Sequence, residues 1–294
     1  MTSAILTHGL TKDYGSGHGL FDLDLEIAEG EVFGFLGPNG AGKTTTIRLL
    51  MGVIHPSAGT ATVFGLDCDR DSVAVKREVG YLPGDLPQFG GMRGSEVVAY
   101  LGGMRGGIDA ARVKELAERL ELDLGRRFRE YSRGNKQKLG LVLAFMHRPR
   151  LLILDEPTSG LDPLNQQTFH RMVGEATAAG STVFLSSHVL SEVEETCSRV
   201  GIIRDGRLVS DMTMDKVHEL RFHEVVIEFG GEVPEAAVRA AAGVEEVAVE
   251  GTRLTCTVHG RFDALIAAIS GHTVVDMVSK EPSLESIFLS YYSK

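Results

Sequence analysis

The stretch Gly37-Pro38-Asn39-Gly40-Ala41-Gly42-Lys43-Thr44 constrains this chain more than any other. It fits the pattern G-x-x-x-x-G-K-[ST], a loop that wraps phosphate groups. Residues 31–36, just before it, read as a short buried strand. Residues 45–50, just after it, read as the first turns of a helix. A strand–loop–helix setting is what the pattern requires. Gly37, Gly40 and Gly42 let the backbone curl until successive N–H groups face inward at phosphate oxygens. The helix N-terminus adds its partial positive charge. The Lys43 ammonium then suits β- and γ-phosphates, and the Thr44 hydroxyl suits Mg²⁺.

Composition narrows the setting. The chain has 294 residues, enough for one large domain and a small one. A hydrophobic fraction of 43% suits a globular protein. The net charge of −10 gives no general basic footprint, so nucleic acid is not an expected partner. No apolar run approaches the roughly 20 residues of a membrane span, and the start of the chain has no signal-peptide pattern. Cys68, Cys197 and Cys256 are odd in number and far apart, and read as cytosolic thiols. A cytosolic protein is expected, whose work at any membrane needs a partner that spans it.

Along the chain, residues 5–10 and 21–27 alternate apolar and polar as strands do. Residues 61–64 and 79–82 are further short strands, the second ending at Pro83-Gly84. The pattern turns helical between 95 and 148. Val113, Leu116, Ala117, Leu120 and Leu124 share one face of a helix expected over 111–124. A second helix is expected over 136–146. Residues 151–154 and 182–186 are buried parallel strands. Residues 200–209 read as a hairpin on an Asp205-Gly206 turn. After a charged boundary near 215–224 the expected order is strand, helix, strand, strand, helix, strand over 225–278. That order suggests a small ferredoxin-like domain. An amphipathic helix over 284–292 closes the chain.

The strand at 151–154 ends in Asp155-Glu156. Downstream of a phosphate loop, a carboxylate so placed can hold Mg²⁺, and its neighbour can orient or deprotonate a water. With this pair in view the chain resembles the ATP-binding subunit of an ATP-binding-cassette transporter. Its motifs stand in the family's order over about residues 3–215. Tyr14 matches the aromatic residue that stacks on adenine, though alone it would read as a turn aromatic. Gly37, Pro38, Asn39, Gly40, Ala41, Gly42, Lys43, Thr44 and Thr45 match the phosphate loop. Tyr131-Ser132-Arg133-Gly134-Asn135-Lys136-Gln137 matches the signature, which the family usually writes Leu-Ser-Gly-Gly-Gln. The resemblance implies that Ser132 and Gly134 bind the γ-phosphate of ATP on an opposing cassette; locally, Ser132 also reads as a helix N-cap. Asp155 matches the magnesium aspartate and Glu156 the catalytic glutamate. Ser159-Gly160-Leu161-Asp162 matches the D-loop, where Asp162 couples two sites across a dimer. His188, after Ser187, matches the switch histidine that bonds the γ-phosphate.

Two motifs depart from the family pattern. Gly84 stands where a glutamine usually follows the strand at 79–82, and Asp85 or Gln88 are the substitutes at hand. The signature carries Arg133 for its first Gly and Asn135 for its Gln. Asp67, Asp69, Asp71 and Glu78 have calcium-loop spacing, but Ser72 occupies the position that needs Gly, so they read as solvated charges. His218 and His223 read as boundary surface rather than a metal site.

The expectation is therefore an α/β P-loop NTPase (RecA-like) core with an antiparallel β subdomain and a helical signature subdomain, about 85–148, all within 1–215. A small α+β ferredoxin-like domain covers 221–294. The resemblance implies an ATPase that uses ATP and Mg²⁺, pairs with a second cassette as a homodimer, and drives transmembrane permease subunits from the cytoplasmic face of the plasma (inner) membrane. The tail 282–289 resembles that of bacterial export cassettes for drugs, antibiotics or lipids. A non-transport cassette acting in regulation or on nucleic acid is the alternative.

Overall fold

The computed structural model describes residues 2–219 and 222–280. The helix expected over 284–292 lies outside the described residues. By contacts the chain separates into two units, Met1–Met212 and Thr213–Lys294.

The first unit stacks two sheets around the phosphate loop. Strands β1 (Ser3–Asp13) and β2 (Gly19–Ala28) form an antiparallel pair that β4 (Ala58–Val63) and β5 (Leu66–Asp67) extend, in the order β2-β1-β4-β5. The second sheet is built on β3 (Val32–Leu36), the strand that leads into the loop, with α1 (Lys43–Leu50) leaving it. Beside β3 lie β8 (Thr182–Ser187) and β9 (Arg199–Arg204), both parallel to it. Then come β7 (Leu151–Asp155) and β6 (Val79–Leu82) on one side, and β10 (Arg207–Thr213) beyond β9, giving β10-β9-β3-β8-β7-β6. The β9–β10 hairpin turns on Asp205 and Gly206, both at positive φ, as an Asp-Gly pair favours.

Every residue of β3, β7 and β8 is buried, which explains their unbroken apolar runs. Phe33, Phe35 and Phe184 meet with ring centroids 6.0 and 5.4 Å apart. One continuous core joins them to Ile5, Leu23 and Ile27 of the antiparallel sheet and to Ile47 of α1. Burial in this way supplies most of the drive to fold, about 25 cal/mol per Å² of apolar surface. It also brings the carboxyl ends of β3, β7 and β8 to one edge, where a parallel sheet places its ligands.

The helical segment consists of α3 (Gly94–Gly103), α4 (Ala110–Arg119) and α5 (Arg133–Phe145), with α2 (Ser72–Glu78) before it. The expected helix over 111–124 stops early. Glu121 turns to φ +51°, its N–H bonds Glu118 O, and the Leu122 N–H bonds Ala117 O. That pair of bonds is a Schellman stop, and it folds Leu122 back into the core. The apolar period beyond Leu120 reflects burial through the stop, not more helix. Helix α5 in turn starts three residues before the expected 136, because the Ser132 side chain accepts the Asn135 N–H at 3.2 Å. Helices α6 (Pro163–Ala178) and α7 (Leu190–Glu194) complete the unit.

The second unit holds α8 (Met214–Glu219), β11 (Phe222–Phe229), α9 (Glu235–Arg239), β12 (Val244–Glu250), β13 (Arg253–His259), α10 (Asp263–Ile269) and β14 (Val274–Lys280). Its sheet runs β12-β13-β11-β14 with antiparallel neighbours throughout. This is the split β-α-β arrangement of ferredoxin-like folds. Its own core includes Val225, Ile227, Leu254, Val258, Leu265 and Ile269.

The acidic run at 67–78 serves its own backbone. Asp67 Oδ1 accepts the N–H groups of Asp69 and Arg70 at 2.9 and 3.0 Å, and these bonds lower its pKa. The three cysteines are free and buried. Burial pushes the Cys68 thiol up to about 12 and raises Cys197 and Cys256 as well, so none is a ready nucleophile.

His147 carries a pH dependence. Burial, and then the Arg105 guanidinium, lower its pKa from 6.5 to about 4. Between those values the unfolded chain binds a proton that the folded chain refuses. Stability present above pH 6.5 is therefore lost as pH falls towards about 4. The midpoint of urea unfolding should drop between pH 7 and pH 5, and His147→Gln should shrink that drop. An equal drop in both proteins would place the acid sensitivity elsewhere.

Candidate functional site: a phosphate loop facing an acidic strand end

The loop between β3 and α1 is held open by close backbone contacts. A Cβ at Gly37 would meet Ile203 O at 2.3 Å, so only glycine lets the loop lie against β9. Gly42 sits at φ +111° and is the N-cap of α1. It has no side chain to cap the helix, so the first-turn N–H groups are left for a ligand. Lys43 is only 5% exposed. Its ammonium donates to Gly37 O at 2.5 Å and Pro38 O at 3.3 Å, which aims it back over the loop.

Beside the loop, β7 delivers Asp155, which is buried, and then Glu156. Thr44 Oγ1 donates to Asp155 Oδ2 at 2.9 Å. Ser186 Oγ, on the neighbouring strand β8, donates to Asp155 Oδ1 at 2.6 Å. Glu156 lies between two nitrogen partners: Lys43 Nζ is 3.2 Å from Oε1 and His188 Nδ1 is 2.7 Å from Oε2. Glu156 has φ +51°, a left-handed conformation that costs about 1–2 kcal/mol for a residue with a Cβ. Its backbone is held on both sides. Its N–H bonds Ser186 O at 3.2 Å and Ser186 Oγ at 3.1 Å, and its carbonyl accepts Gln137 Nε2 at 3.0 Å. Gln137 also donates to Pro157 O at 3.0 Å.

The donor set suits a small hard cation. Thr44 and Asp155 offer two oxygens side by side, and Mg²⁺ is ordinarily held by one or two carboxylates with phosphate and water oxygens. Among the described residues no group of three His, Cys, Asp or Glu forms a metal cluster. A Cβ built on Gly84 would come within 3.2 Å of Asp155 Oδ2. A side chain at that position would therefore reach this same spot, and glycine supplies none. Asp85 and Gln88, its possible substitutes, are exposed. Tyr81, on β6, keeps a neutral phenol, pushed up to about 12 by burial and then by the Asp155 charge.

Four other residues singled out in the sequence complete the set. Tyr14 is 54% exposed on the β1–β2 turn, with Lys12 Nζ 5.7 Å from its ring centre. The end of that turn meets the phosphate loop, since a Cβ on Gly42 would lie 3.3 Å from Gly19 O. Ser132 caps α5, and Gly134 packs against the 159–160 turn, where a Cβ would meet Gly160 O at 2.6 Å. Asp162 caps α6: it accepts the Asn165 N–H at 3.0 Å and Asn165 Nδ2 at 2.7 Å. Those bonds lower its pKa. Sequence reasoning missed the roles of Ser186 and Gln137. Gln137 stood inside the recognised signature, and Ser186 is a hydroxyl directly after the apolar run Val183-Phe184-Leu185 of a buried strand, which is the signal that was there to read.

The family profile described as ABC transporter matches residues 20–159. The bacitracin transport ATP-binding protein BcrA of Enterococcus faecalis is 34% identical over 222 residues, covering 74% of this chain and 72% of that protein. The daunorubicin resistance ATP-binding protein DrrA3 of Streptomyces coeruleorubidus is 32% identical over 303 residues, 98% of this chain and 95% of that protein. The chain belongs to the ABC transporter family, among its ATP-binding subunits. A solved ATP-binding subunit of an ABC transporter superposes with a TM-score of 0.67 at 28% identity, over 74% of this chain and 92% of that one. The DrrA3 match spans both units, so the C-terminal unit is part of the likeness. The two departures in the signature have local partners in this ABC subunit. Arg133 Nη2 donates to Ser159 Oγ at 2.8 Å, and the Asn135 N–H closes the Ser132 cap.

Proposed function

We propose that the chain hydrolyses ATP to power export of a small molecule, a drug, antibiotic or lipid, through separate transmembrane permease subunits. The observation that carries this reading is Glu156 at the end of β7, bracketed by Lys43 and His188 beside the phosphate loop. The outward direction and cargo class rest on the names of BcrA and DrrA3, a transport and a resistance protein.

In this reading the residues 37–45 wrap the triphosphate with backbone N–H groups, and Lys43 offsets charge on the β- and γ-phosphates. Thr44 and Asp155 would hold Mg²⁺, which would supply positive charge against the phosphates. Glu156 accepts the proton of the attacking water. His188 orients Glu156 and meets the γ-phosphate. Tyr14 stacks on the adenine face. Ser132 and Gly134, at the start of α5, serve the nucleotide of a second copy, since a helix N-terminus with a hydroxyl suits a phosphate. Asp162 links the two sites across that dimer. The pair works at the cytoplasmic face of the membrane and passes its closure to the permease, with the 85–105 segment as the contact.

The test is affinity purification of tagged Glu156→Gln protein from its native membranes in Mg-ATP. A multispan membrane protein in stoichiometric amount is the expected result. A soluble ATP-bound dimer with no membrane chain would move the assignment to a cassette that acts without transport.

A further inference from the structure

We propose that Ser186 is a positioning residue for hydrolysis, setting Asp155 and Glu156 as one unit through its hydroxyl. The inference rests on the roles proposed above for those two carboxylates. Ser186 is 0% exposed. It sits opposite Asp155 in the parallel β7–β8 ladder. A hydroxyl has one proton, and the carboxylate takes it: Ser186 Oγ donates to Asp155 Oδ1 at 2.6 Å. Its free lone pairs face the other way and accept the Glu156 N–H at 3.1 Å.

Each bond has a consequence for the site. With Oδ1 engaged by Ser186, the carboxylate plane of Asp155 is fixed and Oδ2 is turned to Thr44 Oγ1, 2.9 Å away. Hydrogen bonds from such outer partners orient a carboxylate towards its metal, and losing one typically costs 10–100-fold in metal affinity or activity. The second bond anchors Glu156 at its left-handed φ of +51°, the conformation that carries its side chain between Lys43 and His188. The fold itself does not call for this hydroxyl. The β7–β8 and β3–β8 ladders are made by backbone groups, and the strand centre before Ser186, Val183, Phe184 and Leu185, is apolar and buried. A fully buried hydroxyl is retained where it is bonded, and here both bonds go to residues of the site.

The experiment compares full-length wild type, Ser186→Ala, Ser186→Thr and Glu156→Gln. Mn²⁺ binding to the ATPγS complex is followed by electron paramagnetic resonance, alongside kcat and KM for ATP. Ser186→Ala should raise the Mn²⁺ half-saturation about tenfold and lower kcat roughly 10–100-fold, with KM for ATP within about twofold. Ser186→Thr should restore both numbers. If Ser186→Ala does not fold, Ser186→Cys, of similar size and with a weak donor, should show the same shifts. Mn²⁺ binding and kcat within about twofold of wild type in the Ala or Cys protein would overturn the proposal. So would a loss that Thr fails to repair while thermal stability falls equally in both, because that pattern belongs to packing. Normal turnover by Glu156→Gln would instead refute the role of Glu156, and it is read independently of Ser186.

Discussion

Glu156→Gln should lower ATP turnover by about 10²–10⁴-fold while ATP binding is kept. General-base contributions have that size. The amide matches the carboxylate in shape, so Ser186 and Gln137 still hold the residue-156 backbone by the same bonds. What is lost is the acceptor for a proton and the negative charge 3.2 Å from Lys43. Removing that charge leaves the ammonium wholly to the phosphates, so the bound state should be the longer-lived one. Phosphate release and binding of a fluorescent ATP analogue, measured on the same preparation, separate the two effects. Turnover within tenfold of wild type would mean that another group takes the proton.

Lys43→Ala should show the opposite signature, with ATP affinity falling by roughly 10–150-fold. That range corresponds to the ~1.5–3 kcal/mol of a hydrogen bond to a charged group. The side chain is buried, and its ammonium is fixed by Gly37 O, Pro38 O and Glu156. Its truncation removes the one side-chain cation of the phosphate loop and strands the Glu156 carboxylate beside His188 alone. Lys43→Arg should not rescue, because a planar fork cannot occupy a pocket shaped around a compact ammonium. Calorimetric titration with ATPγS reads the effect directly. Unchanged affinity would show that backbone N–H groups alone supply the binding.

The two variants thus divide the site along the line drawn by its geometry. In the proposed mechanism the loop captures phosphate through contiguous residues, and the strand end does chemistry through residues gathered from several elements. Gly84 bears on the second part. It puts no side chain beside Asp155 Oδ2, so orientation of Asp155 falls to Thr44 and to the hydroxyl of Ser186.

Much of this site was legible because its chemistry is local in the chain. Residues 37–45 form a cradle through their own glycines and the helix that follows, and such a cradle needs no distant partner to be recognised. The apolar run at 151–154 likewise announces a buried strand, and Asp155-Glu156 must then emerge at its end. The sheet order, by contrast, depends on which strands pair. Only the β7–β8 register brings Ser186 opposite Asp155, 31 residues away along the chain. Only the packing of α5 against that edge lets Gln137 reach the Glu156 and Pro157 carbonyls. The stop of α4 at Leu120 was hidden for a related reason: burial continues past the helix, and apolar spacing records burial rather than backbone conformation. The sequence by itself determined the phosphate loop, the buried strands and the residue types at the site, since covalent spacing and side-chain chemistry are properties of the chain. The tertiary structure alone decided how Glu156 is turned and what holds it, since a left-handed residue is maintained by bonds that reach it through space.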